Sequence, residues 1–165
     1  MKSGHANRGK SFESALEWQH NIYRASGFVC QKLPTPYKVL GTIPGGLRVV
    51  PETVALPDYL VVAHGVSYLV DAKSTESQRW PLAKLTAHQA DSFTTWERQG
   101  PTHRAGLVLR LGDQTTWWVP WAVLSPAWRA WANGEAKHGE ASLSMDWLAA
   151  NGKAVRGADW LAAAM

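Results

Sequence analysis

The chain has 165 residues, with 17 Lys and Arg against 13 Asp and Glu, so its formal net charge at pH 7 is +4. Its composition, 45% hydrophobic and 18% charged, excludes a disordered chain and is typical of a globular protein with a core of its own. A single cysteine, Cys30, excludes an internal disulfide and a cysteine-based zinc site, and no segment reaches the roughly 18 apolar residues of a membrane span. We therefore expect one soluble, cytoplasmic domain over residues 1–165, with no membrane partner and a basic excess that suits a polyanion.

The first third of the chain predicts a helix, a strand and an irregular insertion. The spacing of Phe12, Leu16 and Tyr23 indicates an amphipathic helix over about residues 7–26, which Gly27 ends. A short strand follows at 28–32. The next segment, 33–56, contains four prolines and three glycines among many apolar residues. These residues break every regular period, so the segment is predicted to be a protruding loop or ribbon of a kind that is often functional.

The central stretch, residues 57–73, predicts a β-hairpin. Its two β-branched runs are joined by a His-Gly pair, which suits a two-residue turn because glycine tolerates positive φ. With that turn, Asp58 falls directly opposite Asp71, with Cβ atoms about 5 Å apart, and Lys73 lies on the same face as Asp71. Carboxylates this close repel each other unless a cation lies between them, and their hard oxygens suit Mg²⁺ or Mn²⁺.

The rest of the chain predicts further helices and one more strand pair. A second helix is expected over about residues 80–99, opened by Trp80-Pro81 because proline fits a first helical turn. Strands follow at 105–111 and 115–119. Residues 126–165 are expected to be a tryptophan-rich helical part, whose indoles favour packing in the core or at a dimer interface over stacking on DNA bases. This order of elements predicts an α/β fold with a sheet flanked by helices.

The two acids and the lysine follow the pattern Pro-Asp, twelve residues, Asp-x-Lys, which matches the PD-(D/E)-x-K nuclease signature. The signature is short, and a solvated hairpin with acidic ends is the alternative that it leaves open. In a nuclease, a metal held by Asp58 and Asp71 acidifies a bound water and polarises the phosphate. Lys73 orients that water or stabilises the anionic transition state.

Five separated motifs occur in order along the chain. They are Asn7-Arg8-Gly9 with Phe12-Glu13, Lys32-Leu33-Pro34-Thr35-Pro36, Asp58-Tyr59, Asp71-x-Lys73, and Trp80-Pro81-Leu82-x-x-Leu85-x-x-His88-Gln89. In this combination the chain resembles the RecU-type Holliday-junction resolvases of Gram-positive bacteria and their phages, and its core is similar to the smaller archaeal resolvases. The resemblance covers about residues 7–125. It implies a restriction-endonuclease-like mixed sheet flanked by helices, with residues 33–56 as a stalk that projects toward the junction centre.

The resemblance also implies an activity and a site. It implies a homodimeric, Mg²⁺-dependent endonuclease, with Mn²⁺ as the alternative metal and no small-molecule cofactor, that nicks two opposed strands of a four-way DNA junction in recombination and repair. The enzyme would act in a bacterial cell, or in the host cytoplasm if a phage encodes it. Carried onto this sequence, the metal ligands are Glu13, Asp58 and Asp71, with Lys73 as the catalytic lysine and Gln89 beside the site.

Basic and polar residues near these motifs are the candidate DNA contacts, with a solvated surface side chain as the alternative for each. They are Arg8, Lys10, Lys32, Thr35, Lys38, Arg48, Arg79, Lys84 and His88. The chain departs from the family pattern at Asp71, where Glu is more usual, and at Leu33, where many members have a second lysine. Its stalk is also shorter and richer in glycine.

Two other functions remain open from the sequence. One is a PD-(D/E)-x-K nuclease that acts on ordinary duplex, flaps or ends instead of junctions. The other is a DNA-binding recombination protein whose nuclease site is idle. Preference for a four-way junction over linear duplex separates the first from a resolvase, and metal-dependent nicking of any DNA eliminates the second.

Overall fold

The computed structural model describes residues 4–34, 36–51 and 56–165, with side chains described from Ser11 onward, except that of Pro51. In chain order the elements are α1 (Gly4–Ala25), β1 (Val29–Lys32), β2 (Tyr37–Ile43), β3 (Gly46–Pro51), β4 (Tyr59–Ala63), β5 (Val66–Ser74), β6 (Trp80–Pro81), a 3-10 turn (Leu82–Lys84), α2 (Ala87–Glu97), β7 (His103–Arg110), β8 (Thr116–Pro120), α3 (Trp121–Ala132), β9 (Ser142–Leu143), α4 (Met145–Asn151), β10 (Lys153–Val155) and α5 (Trp160–Ala164). None of the helices within these described ranges has the length and apolar character needed to cross a membrane.

A mixed sheet of six strands forms the centre, in the order β1-β4-β5-β7-β8-β10. Strands β5 and β7 are parallel, and the other neighbours in this sheet are antiparallel. The predicted α/β fold, with a mixed sheet between helices, is therefore confirmed. Strand β10 lies in the part predicted to be wholly helical, and its three residues are too short to leave an alternating pattern in the sequence.

The two faces of the sheet pack against different helices. Along β7, Leu107 and Leu109 join the cluster that contains Phe93 of α2, while Val108 joins the cluster that contains Leu16 of α1. This alternation is the two-residue period of a strand buried on both faces. The tryptophans from residue 117 onward pack into these clusters, as expected: those in the first are Trp117, Trp121, Trp128, Trp131 and Trp147, and those in the second are Trp118 and Trp160.

The central hairpin has the predicted register. Strands β4 and β5 pair antiparallel with Ala63 opposite Val66. The turn between them is His64-Gly65, whose φ angles of 51° and 75° are both positive. Two positive φ angles are what a type I′ turn requires, and its twist matches that of the strands. The turn therefore fixes which side chains meet at the open end of the hairpin.

The second helix is shorter than predicted. The pair Trp80–Pro81 is strand β6, which pairs with β9, and Leu82–Lys84 forms a 3-10 turn. Helix α2 begins at Ala87 because Thr86 caps it: the hydroxyl of Thr86 accepts from the Gln89 N–H, and the Gln89 side chain accepts from the Thr86 N–H. This capping box is a stronger start signal than the proline, so the prediction of a helix from residue 80 is wrong.

The stalk segment is a ribbon with regular pairing. Strands β2 and β3 pair antiparallel across the turn that contains Gly45, with a register shift between Val39 and Gly41. All residues of β2 are exposed, and so are residues 46–50 of β3. Of the two alternatives, loop or ribbon, the structure has a ribbon, because the β-branched residues on either side of Pro44-Gly45 favour strands.

Candidate active site

Three charged side chains meet where β4 begins and β5 ends. The ammonium of Lys73 lies 2.7 Å from Oδ2 of Asp71. Asp58 directly precedes β4, and its Oδ2 accepts a hydrogen bond of 2.8 Å from the backbone N–H of Ala72. The convergence of Asp58, Asp71 and Lys73 that the hairpin register predicts is therefore confirmed.

Gln89 orients the buried carboxylate from the neighbouring helix. The side chain of Asp71 is 0% exposed, and Nε2 of Gln89 donates to its Oδ1 at 2.7 Å. The oxygen of the same amide accepts from the Thr86 N–H at 3.2 Å. One side chain thus caps α2 and fixes Asp71, which places Gln89 beside the acids, as the resemblance implied.

The positive charge next to Asp58 and Asp71 does not balance the negative charge of the two carboxylates. Burial raises the pKa of Asp71 to about 7; the ammonium of Lys73 opposes this rise, and the charge of Asp58 adds to it. Burial also raises the pKa of Asp58, which the Ala72 N–H and Lys73 offset in part. A single ammonium therefore does not neutralise the pair, and a further cation would relieve the repulsion between them.

A divalent metal fits this pair of carboxylates. Their oxygens are hard ligands, and the electrostatics of the pair favour added positive charge. Within the described residues, no group of three or more His, Cys, Asp and Glu side chains is placed to hold a metal. Asp58 and Asp71 would therefore supply two carboxylate ligands, and water would supply the others.

Glu13 lies close to this pair on the exposed side of α1. Its Oε2 is 3.7 Å from the ammonium of Lys32, and its charge contributes to the raised pKa of Asp58. Glu13, Lys32 and Asp58 line one cleft of about 550 Å³. The carboxylate thus borders the site without joining the acids in a three-ligand group, and its role as a metal ligand stays a prediction.

Some predicted DNA contacts lie on the ribbon and beside Glu13. Lys38 is in β2 and Arg48 is in β3, and both side chains are exposed. Lys32 ends β1, with its ammonium 3.7 Å from Glu13 and 3.9 Å from Glu17. A phosphate that approached Lys32 would therefore compete with two carboxylates.

The other predicted DNA contacts differ in how accessible their side chains are to DNA. Lys84 and His88 are exposed at the entry to α2. Arg79 is used within the chain, because its Nε donates to Oγ of Ser142 at 2.9 Å and its Nη2 donates to the carbonyl of Gly139 at 2.6 Å. The remaining three, the side chains of Arg8 and Lys10 and the whole of Thr35, lie outside the described residues.

Arg110 is a cation near the site that sequence reasoning missed. Its guanidinium carbon lies 4.4 Å from the centre of the Phe12 ring, and its Nε donates to Oγ1 of Thr116 at 3.3 Å. It lines a cleft of about 460 Å³ together with Lys84 and the chain that follows Lys73. The available signal was a charged residue inside the apolar run 105–111, where a cation is costly unless it has a partner.

The fold is similar to that of a solved archaeal protein. The match is to the 1.6 Å structure of Hjc from Archaeoglobus fulgidus, a Holliday junction resolvase from an archaeal hyperthermophile, with a TM-score of 0.52 and 13% sequence identity. It covers 91% of this chain and 97% of that chain. At this identity the likeness concerns the fold, and it confirms the expected resolvase-like architecture. No curated protein matches the chain significantly.

A protein-family model matches almost the whole chain. The model is RecU, described as Recombination protein U, and it matches residues 7–159. The match extends beyond the region of about 7–125 that carries the motifs and includes the tryptophan-rich part up to residue 159. It supports resolution of Holliday junctions in recombination and, because such resolvases are nucleases, endonuclease activity. The chain belongs to the RecU family.

Proposed function

We propose that this chain resolves four-way DNA junctions by paired, Mg²⁺-dependent hydrolysis of two opposed strands. The observation that carries the proposal is the meeting of Asp58, Asp71 and Lys73 at one end of the central hairpin, in a chain of the RecU family. A solvated hairpin would not bury Asp71 completely or hold it from a second element through Gln89.

Each residue of the site would have a separate role in phosphodiester hydrolysis. Asp58 and Asp71 would hold Mg²⁺, or Mn²⁺ as the alternative, which would supply Lewis-acid activation of a water and of the phosphate. The Ala72 N–H fixes the Asp58 carboxylate, and the Gln89 amide fixes that of Asp71. Fixed ligands need no rearrangement as charge develops in the transition state.

Lys73 acts through its charge. Its side chain is 22% exposed, and its ammonium is anchored to the buried Asp71 at 2.7 Å. A partly accessible cation held in this way can face a phosphate while it stays in place. It would stabilise the extra negative charge on the phosphate oxygens in the transition state.

The active assembly is a homodimer in this proposal. Symmetric nicks in two opposed strands need two sites related by a two-fold axis. The exposed ribbon of β2 and β3, which carries Lys38 and Arg48, is suited to reach the junction centre. Sedimentation equilibrium at micromolar concentration should give twice the monomer mass, and a monomer both free and on DNA would contradict the dimer.

A nicking experiment tests the function. A labelled four-way junction and a linear duplex with the same arm sequence are incubated with the protein in Mg²⁺ and in EDTA. We expect paired cuts at symmetric positions, confined to the junction and dependent on the metal. Equal cutting of both substrates would keep the nuclease and reject the junction role, and tight junction binding without cuts would indicate an idle site.

A further inference from the structure

A second cleft begins directly after Lys73. The chain beyond β5 folds over the end of β7: the Thr75 N–H donates to the carbonyl of Arg110 at 3.0 Å, and the Gly112 N–H donates to that of Ser77 at 3.2 Å. A Cβ atom on Gly112 would overlap the backbone of residue 76, so this approach requires glycine. The result is a cleft of about 460 Å³ whose lining residues are mostly polar or charged.

Arg110 is fixed inside this cleft, and no carboxylate of the described residues forms an ion pair with it. The guanidinium is held by the face of Phe12 and by the hydroxyl of Thr116. Burial lowers the pKa of Arg110. A partly desolvated cation costs free energy unless an anion neutralises it, so the geometry indicates an anionic ligand.

The other walls of the cleft suit the same kind of ligand. Lys84 adds a second cation, and Ser74, Thr75 and Ser77 bring side-chain hydroxyl groups. Guanidinium, ammonium and hydroxyl groups are the ones that bind phosphate oxygens in protein–DNA complexes. Glu76 also lines the cleft, with an exposed side chain.

The cleft lies next to the catalytic residues, on the side away from Lys32. Arg110 is opposite Ser74 in the register of β5 and β7, and Lys73 is the preceding residue of β5. The cleft lined by Lys32 also contains Asp58. In the order of the sheet, the acids and Lys73 on β4 and β5 therefore lie between Lys32 on β1 and Arg110 on β7, and a DNA strand that crosses the acids along this order would pass both clefts.

We propose that Arg110, supported by Lys84, binds a backbone phosphate of the cut strand next to the scissile phosphate and so positions that strand across the acids. Arg110 is then a positioning residue, since it does not touch the reacting atoms. This inference rests on the proposed function and names a contact within it.

The first test uses the wild-type protein. A set of four-way junctions is prepared, each with a single neutral methylphosphonate at a different one of the three phosphates on either side of the cut. The dissociation constant of each junction is measured in EDTA. We expect one position, on one side of the cut, at which the neutral group weakens binding about tenfold, the usual effect of losing a charged hydrogen bond. If no flanking position is sensitive, the inference is wrong.

Variants then assign that phosphate to a residue. Arg110→Met keeps an unbranched stem over Phe12 and removes the charge, Arg110→Lys restores the charge, and Arg104→Met is the control at the exposed opposite end of β7. For Arg110→Met we expect about tenfold weaker binding. The slope of the logarithm of the binding constant against the logarithm of the salt concentration should decrease in magnitude by about one, the value for one phosphate contact. The methylphosphonate at the sensitive position should not weaken junction binding by this variant any further. Arg110→Lys should recover part of the lost affinity, and Arg104→Met should bind with wild-type affinity.

These outcomes separate the inference from the proposed function. If Arg110→Met retains wild-type affinity, or keeps its sensitivity to the same methylphosphonate, Arg110 is only a packing residue. If Arg110→Met does not fold, Arg110→Lys takes its place in the methylphosphonate scan. If Arg110 does not contact the phosphate, Arg110→Lys should bind every junction of the scan with wild-type affinity. Failure of the wild-type protein to nick any junction in Mg²⁺ would instead reject the proposed function, and binding in EDTA would still test the contact.

Discussion

Replacement of Asp58 by Asn should stabilise the protein in the absence of metal while it removes the metal site. The variant keeps the shape of the side chain, and its amide oxygen can accept the bond that Oδ2 of Asp58 receives from the Ala72 N–H at 2.8 Å. It removes a charge that burial disfavours and that raises the pKa of Asp71. The free energy of unfolding without metal should therefore increase.

The magnitude follows from the pKa of Asp71. That value rises from 3.8 to about 7, so the folded protein binds a proton more tightly than the unfolded chain, and its stability falls as the pH rises between these values. One pKa unit corresponds to about 1.4 kcal/mol, and Asp58 is a smaller cause than burial. We expect a gain of about 1 kcal/mol at pH 8, or about 2–4 °C in Tm for a chain of this size, and a smaller gain at pH 4.

Bound metal should make the wild type more stable than Asp58→Asn, the reverse of the order in EDTA. A divalent ion at ten times its dissociation constant stabilises the folded wild type by about 1.4 kcal/mol, and it should have little effect on Asp58→Asn. Thermal unfolding at pH 8 in EDTA and in Mg²⁺ measures both effects, with the exposed Asp91→Asn as the control for loss of a surface carboxylate. A variant less stable than wild type in EDTA, or one that keeps the Mg²⁺ shift, would refute the account of the acidic pair.

Three further predictions concern other parts of the molecule. Gln89→Ala removes the side-chain half of the capping box of α2 and the donor to Asp71, so urea unfolding should show a loss of about 1–3 kcal/mol and junction nicking should slow more than junction binding weakens. Between pH 7 and pH 4, His20 should contribute a loss of about 3 kcal/mol in the free energy of unfolding, because burial lowers its pKa from 6.5 to about 4 and the unfolded chain takes up the proton first. Asp71 contributes in the opposite sense to wild type and variants alike, so urea titrations of His20→Gln should differ from wild type by about this amount at pH 4 relative to pH 7, and those of the exposed His138→Gln should follow wild type. Replacement of residues 37–51 by two glycines should leave Tm nearly unchanged, because the ribbon is exposed, while the ratio of duplex to junction dissociation constants should drop; an unchanged ratio would contradict the role of the ribbon.

The end of the hairpin that carries Asp58 and Asp71 could be predicted because its geometry is local. The His64-Gly65 turn sets the register, and the register alone brings Asp58 opposite Asp71. No contact from a distant part of the chain is needed for that step. The position of Lys73 then follows from the two-residue period of the strand.

Contacts between distant segments could not be predicted. Trp80 belongs to a strand because Leu143 pairs with it, and nothing near residue 80 indicates that partner. The cleft of Arg110 depends on α1, on the end of β7 and on the chain after Lys73 at once. The distance from Glu13 to the acids is likewise set by how α1 packs on the sheet, which the spacing of its apolar residues leaves undetermined.

The junction nicking rate of Lys73→Met tests most directly whether the acids and Lys73 form the active site. The measurement is a single-turnover reaction in Mg²⁺ on a labelled four-way junction, with protein in excess over the dissociation constant of each form. Removal of the ammonium 2.7 Å from Asp71 should lower the rate by about 100-fold or more with junction affinity within a few-fold of wild type. A variant that binds and nicks the junction at the wild-type rate would place the chemistry elsewhere in the protein.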